Sequence, residues 1–208
     1  MAAGTENTGG TAGDLRNEEI SSLLLKLGRN VSTFTNLKTD FIQEKELALF
    51  KNKIVIKGRI CIKKPGKIAW HVDQPVRYSV VLSEQSVRQW DEESGQVKEI
   101  SLSGNPTLKN VLDQLSVWFS GDYNSLLKDN SARILGKAPL AIEFRPKETS
   151  IAKSIIKRIV VTFREDEKYL SKVVIQEVSG DISTIVFMNT VFDALVGKDD
   201  FEVKPSAR

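Results

Sequence analysis

The residues able to do chemistry in this chain are few. His71 is the single histidine and Cys61 the single cysteine. A general base must sit beside a nucleophile and be oriented by a third group. His71 has Asp73 on its own strand and no recognisable activated serine, and alternation puts it on a polar face as a surface residue. One histidine and one cysteine cannot build a zinc site. Cys61 allows no intrachain disulfide, assigns no compartment, and reads as an inert strand residue. The acidic triplets Asp91-Glu92-Glu93 and Glu165-Asp166-Glu167 fall in hairpin turns and lack the ligand spacing of a calcium loop. Neither G-x-x-x-x-G-K-[ST] nor a G-x-G-x-x-G after a strand is present. The expectation is a protein that is not an enzyme and uses no cofactor and no metal.

Charge narrows the partners further. Thirty Lys and Arg against 27 Asp and Glu leave +3 on 208 residues, and the basic residues are scattered. A nucleic-acid binder would carry a basic stripe, so none is expected as a partner. No apolar run reaches the roughly 18 residues of a membrane helix. Residues 1–13 are small and polar, without an apolar core of a signal peptide, and read as a disordered tail, or as a mature N-terminus left after signal removal with an added Met, ahead of one domain over 14–208.

These residues must be held by a mostly β framework. Ile20, Leu23, Leu24, Leu27 and Val31 recur at helical spacing and predict a helix over 14–30, with Gly28 weakening its end. The period then changes to two. Ile54, Ile56, Ile60 and Ile62 alternate with polar neighbours, and Gly58 on the same face marks a bend or a close approach. Pro65-Gly66 makes a turn. Ile68, Trp70 and Val72, then Tyr78, Val80 and Leu82, repeat the pattern, and a short strand reaches Trp90. The connections are too short for parallel crossovers, so the strands form an antiparallel meander. Asn105-Pro106 opens a second helix, with Leu108, Val111, Leu112, Leu115 and Phe119 on one face and Gly121 as its stop. A short helix near 123–128 follows. Strands return at 140–144, 159–163, 173–175 and 181–189, with a last edge strand at 201–203.

The fold class is therefore mostly β with α: a curved antiparallel sheet, or unclosed barrel, whose concave face is covered by amphipathic helices. What the apolar face does is open at this level. Ile, Trp, Tyr and Val on one side of a sheet pack as a core, or line a pocket for an apolar ligand.

Ordered pieces of the chain resemble the outer-membrane lipoprotein carrier family, the LolA-like periplasmic proteins, as a divergent member. They are an N-terminal helix, Phe41-Ile42-Gln43, the run GRICIKKPGKIAW, Gln74-Pro75, a strand ending at Trp90, and SGDISTIVF at 179–187. The resemblance implies a carrier that shields acyl chains of lipoproteins, or of a related lipid, and moves them from the inner to the outer membrane. It implies a monomer, a periplasmic location, an inner-membrane transporter and an outer-membrane receptor. A binding or sensing module on the same scaffold, signalling to a membrane partner, is the alternative. The implied cavity wall is Ile54, Ile56, Ile60, Ile62, Ile68, Trp70, Tyr78, Val80 and Trp90. The implied lid is Leu108, Val111, Leu112, Leu115 and Phe119. Lys64 stands where the family often has an arginine that bonds lid backbone, and Ile68 where it has an aromatic residue. Lysine lacks the planar five-donor fork, so the latch is altered.

Overall fold

The structure is a computed structural model that describes residues 12–50, 53–103, 117 and 120–204, with only the backbone over 12–17. Helix α1, Ala12–Ser32, begins two residues before the predicted start and runs two past the predicted end. Eleven strands follow. They are β1 (Asn36–Glu46), β2 (Lys53–Lys63), β3 (Lys67–Gln74), β4 (Tyr78–Leu82), β5 (Ser86–Asp91) and β6 (Val97–Ser101), then β7 (Asn130–Lys137), β8 (Leu140–Pro146), β9 (Ile156–Phe163), β10 (Leu170–Glu177) and β11 (Ile182–Phe192). They form one antiparallel sheet in the order β6-β5-β4-β3-β2-β1-β11-β10-β9-β8-β7. The β1–β11 pairing joins two meanders, and the described pairings stop at β6 and β7, so the curved sheet stays unclosed.

The predicted lid residues Leu108, Val111, Leu112, Leu115 and Phe119 lie outside the described residues. The predicted short helix is a 3-10 turn at Tyr123–Leu127.

One side of the sheet, the inner face, carries α1. Ile20, Leu24, Leu27 and Val31 enter a core with Leu37, Phe41, Ile60, Ile62, Ile68, Ile142, Phe144, Val161 and Phe163. Helical spacing therefore does here what amphipathic helices do, burying one stripe against a sheet. Gly28 has a packing role rather than a terminating one: a Cβ there would stand 2.4 Å from the carbonyl oxygen of Gly121. Gly58 is the predicted close approach, since its Cβ would lie 2.0 Å from the His71 carbonyl oxygen and 2.9 Å from the Phe41 ring.

The outer face holds two devices that alternation did not reveal. On β8, the Glu143 side chain is 2% exposed and paired with Arg145 at 2.8 Å, Arg133 at 3.1 Å and Arg158 at 3.3 Å. The Arg145 hydrogen bond, then Arg158, holds its carboxyl below the usual range against the cost of burial. The second device is a strap formed by the residues after β11. The predicted edge strand at 201–203 is not one: a 3-10 turn at Asp199–Phe201 brings Phe201 and Val203 onto Cys61, Ala69, Val81 and Trp90.

Candidate functional site

The inner face over β2, β3 and β4 is where the predicted wall residues gather. Antiparallel register aligns Ile60, Trp70 and Val80 in one row, and Ile62, Ile68 and Leu82 in the next. Directly opposed residues share a face, so each row is a continuous apolar band. Ile60, Ile62 and Ile68 are buried in the core, while Ile56, Trp70, Tyr78, Val80 and Leu82 are half-buried. The Trp70 ring rests on Phe41, with centroids 4.6 Å apart and planes at 50°. The glycine at 58 makes room for that Phe41 ring, so a residue without a side chain positions the largest one in the band. Ile54 lies at the far end of β2 and is exposed.

Trp90 is a correction. Val80 on β4 pairs with Gln89, and Ser79 pairs with Trp90. The tryptophan therefore faces outward, and it is buried under Phe201 and Val203 in the outer cluster. The β4–β5 turn sets even residues of one strand against odd residues of the next. Period-two patterning within each strand carries no information about that parity. Leu82, in contrast, was readable from the same alternation as Tyr78 and Val80.

His71 is the second correction. It is buried, not a surface residue. Its Nε2 donates to the Asp200 carbonyl oxygen at 2.8 Å, which leaves Nδ1 to accept from the Ser79 hydroxyl at 2.9 Å. This network pins the strap to β3. Burial, chiefly, pushes the imidazole pKa down. Both ring nitrogens are engaged, and His71 and Ser79 are each only 4% exposed, so the pair is closed off from a substrate under the strap. Cys61 beside it is buried, and burial pushes its thiol up to about 11, the opposite of a reactive thiolate. Among the described residues, no cluster of three or more His, Cys, Asp or Glu could hold a metal.

Lys64 sits at the turn between β2 and β3, where Gly66 takes φ of 103°. Its ammonium donates to the carbonyl oxygen of Val31 and, at 2.9 Å, to that of Phe34. It also stands 3.7 Å from the Phe34 ring centroid. The last carbonyls of a helix have no intrahelical partner, and the helix dipole favours a cation there. A single lysine meets both needs and ties the end of α1 to the sheet. Burial lowers its pKa from the usual value. Phe34, which completes this contact, was not singled out in the sequence, because a lone aromatic just past a helix has no periodic signal.

The family model described as the outer membrane lipoprotein carrier protein LolA matches residues 32–204. The chain belongs to the LolA family. No curated protein matches it in sequence. Among solved structures it is similar to an uncharacterized conserved protein from Thermus thermophilus, at TM-score 0.57 and 8% identity over 90% of this chain and 94% of that one. It is also similar to MucB, at TM-score 0.53 and 10% identity, where it covers 89% of this chain and 63% of MucB. A putative outer membrane lipoprotein-sorting protein domain from Vibrio parahaemolyticus aligns at TM-score 0.47 and 13% identity over 89% and 97% of the two chains. At such identities the first two likenesses are ones of fold.

Proposed function

We propose that this LolA-family protein shields the acyl chains of lipoproteins, or of a related lipidated molecule, on the inner face of its sheet and carries them through the periplasm from the inner to the outer membrane. The observation that carries this reading is the band Ile56, Trp70, Tyr78, Val80 and Leu82, apolar yet only half-buried. An acyl chain in water costs about 0.8 kcal/mol per exposed CH₂, so a carrier must cover it. Alkyl chains present no polar code, and an apolar wall without fixed hydrogen bonds suits them. Ile60, Ile62 and Ile68 would be the floor beneath the cargo, and 108–119 its lid. Lys64 would act as a latch from the turn end, holding α1 while cargo enters and leaves. An inner-membrane transporter and an outer-membrane receptor are the partners this role requires, and the carrier would work as a monomer.

Binding of a fluorescent acyl-chain probe tests the wall. Trp70→Glu and Val80→Glu are expected to weaken probe affinity about tenfold or more while far-UV circular dichroism stays unchanged. A wild-type protein that takes up no probe, or an affinity that merely follows stability across both variants, would overturn the reading. Depletion separates carrying from sensing: loss of a carrier strands lipidated cargo at the inner membrane, while loss of a sensor changes only an envelope stress response.

A further inference from the structure

The turn that carries Lys64 also walls a cavity on the outer face. There the β2–β3 ladder ends by setting Lys63 directly opposite Lys67. One row back on the same face, Cys61 and Ala69 lie under the strap. The start of the strap and the β4–β5 turn complete a concavity of about 600 Å³, within the ~300–1,000 Å³ of small-molecule sites. Its charge is one-sided. Lys63, Lys67 and Lys198 line it, with Glu84 as the one carboxylate in its described lining. Lys64 lines it too, but its ammonium is taken by the Val31 and Phe34 carbonyls. The nearby strap carboxylates are also taken, Asp200 by Lys38 and Glu202 by Arg88. Among the described residues, Lys63, Lys67 and Lys198 have no ion-pair partner. Like charges directly opposed across an antiparallel pair are destabilising, so the cavity holds a positive charge that the chain itself leaves unbalanced.

We propose that this cavity binds a phosphate-bearing small molecule or headgroup. The lining selects the anion. Arginine, whose planar fork matches a carboxylate, is absent from the described lining, whereas lysines bind phosphate as point charges from several directions. The three lysines come from separate segments, two from the β2–β3 hairpin and one from the strap, so they surround an anion rather than lie along one edge. The volume suits an organic phosphate better than a bare ion. Phe201 supplies an apolar wall for the organic part, and its ring holds the Lys67 ammonium at 4.6 Å from the centroid. A soluble phosphate ester and a phospholipid headgroup share this chemistry. The inference does not depend on what the inner face binds.

Calorimetric titration of the full chain with glycerol 3-phosphate, and with succinate as a dicarboxylate of similar charge, tests it. Flotation with vesicles of phosphatidylethanolamine and phosphatidylglycerol covers the headgroup. Glycerol 3-phosphate is expected to saturate one site and to bind more tightly than succinate. Lys63→Gln/Lys67→Gln should weaken binding about tenfold and Lys198→Gln about threefold, with far-UV circular dichroism unchanged. Lys57→Gln/Lys98→Gln, which removes two exposed lysines outside the cavity, should leave binding as it is. Vesicle binding without ester binding, lost in Lys63→Gln/Lys67→Gln, would assign the phosphate to a headgroup, and the reverse would assign it to a soluble ester. Binding of neither overturns the proposal. So does an equal affinity for succinate, or an equal loss in Lys57→Gln/Lys98→Gln, which would mean diffuse charge rather than a site. The lysine variants should still take up the acyl-chain probe, which separates failure of this proposal from failure of the carrier reading.

Discussion

The two ends of the sheet solve opposite problems. At the end where α1 enters β1, polar groups converge. Lys64 bonds the carbonyl of Val31 in the last turn of the helix and that of Phe34 just past it, and the Asp193 carboxylate accepts from the Thr35 amide at 2.8 Å and hydroxyl at 3.0 Å. Lys26 meets Glu167 and Lys137 meets Glu19 across the same end. These last two pairs are exposed and contribute little. The half-buried lysine differs, because without it two carbonyls lose a charged partner. At the far end, the Ala48 amide donates to the Asp181 carboxylate and the Val178 amide to the Ile155 carbonyl, and the rim of loops they tie together leaves Leu49, Phe50, Ile151, Ile155 and Val178 more than half exposed. One end therefore uses its chemistry to hold the helix, and the other leaves apolar area exposed. Residues at the first end should govern stability, and these exposed side chains at the second should contribute little to it.

The most severe test of that division is Lys64→Met. It keeps most of the apolar stem and removes the ammonium. A hydrogen bond to a charged group is worth about 1.5–3 kcal/mol, so we expect a loss near 2 kcal/mol in urea unfolding. Lys64→Arg should recover at least part of it, since a guanidinium donates to the same carbonyls. A Lys64→Met protein as stable as wild type would remove the contrast between the ends.

A smaller effect comes from His71, which binds the strap to the sheet. It is the only histidine, so it dominates proton uptake between about pH 7 and pH 5. Burial sets its folded pKa below the ordinary value of 6.5, outweighing the Asp200 carbonyl and the nearby Asp73 and Asp200 carboxylates, while the Arg59 charge reinforces the depression. The unfolded chain thus takes up its proton at higher pH than the folded one. Stability should therefore be full above pH 6.5 and decline as pH falls through that value. Urea midpoints measured across this range should show the decline in wild type and a flatter profile in His71→Gln. A flat wild-type profile would mean that the strap is not held through a neutral imidazole.

Much of this was legible in the sequence, and the misses share one cause. Alternation at Ile60, Ile62, Ile68, Trp70, Val72, Tyr78 and Val80 reports which side of its own strand each residue takes, and the register places all seven on the inner face. It does not report how one strand is shifted against the next, so Trp90 was placed on the wrong side. Nor does it report what covers the other face. His71 looked solvent-facing because the cover over its face of the sheet comes from the strap around Phe201 and Val203, more than 100 residues later. Lys64 was found by resemblance, but its partners at the end of α1 depend on a tertiary contact that no local pattern encodes. The rim was invisible for a related reason: Leu49, Phe50, Ile151, Ile155 and Val178 look like ordinary strand-flanking apolar residues until the sheet order brings their loops together.

The finest test of the two ends is an expected absence of effect. Leu49→Ser/Phe50→Ser removes two large apolar side chains, a change that costs several kcal/mol inside a core. At the rim both are more than two-thirds exposed and fill no internal space. The folded and unfolded chains expose them to nearly the same degree, so the transfer free energy largely cancels. Urea unfolding should place the double variant within about 0.5 kcal/mol of wild type. A larger loss would mean that these side chains pack onto the fold in solution and that the rim is part of the core. An unchanged stability, set beside the Lys64→Met result, would separate the end that holds the molecule together from the end that faces outward.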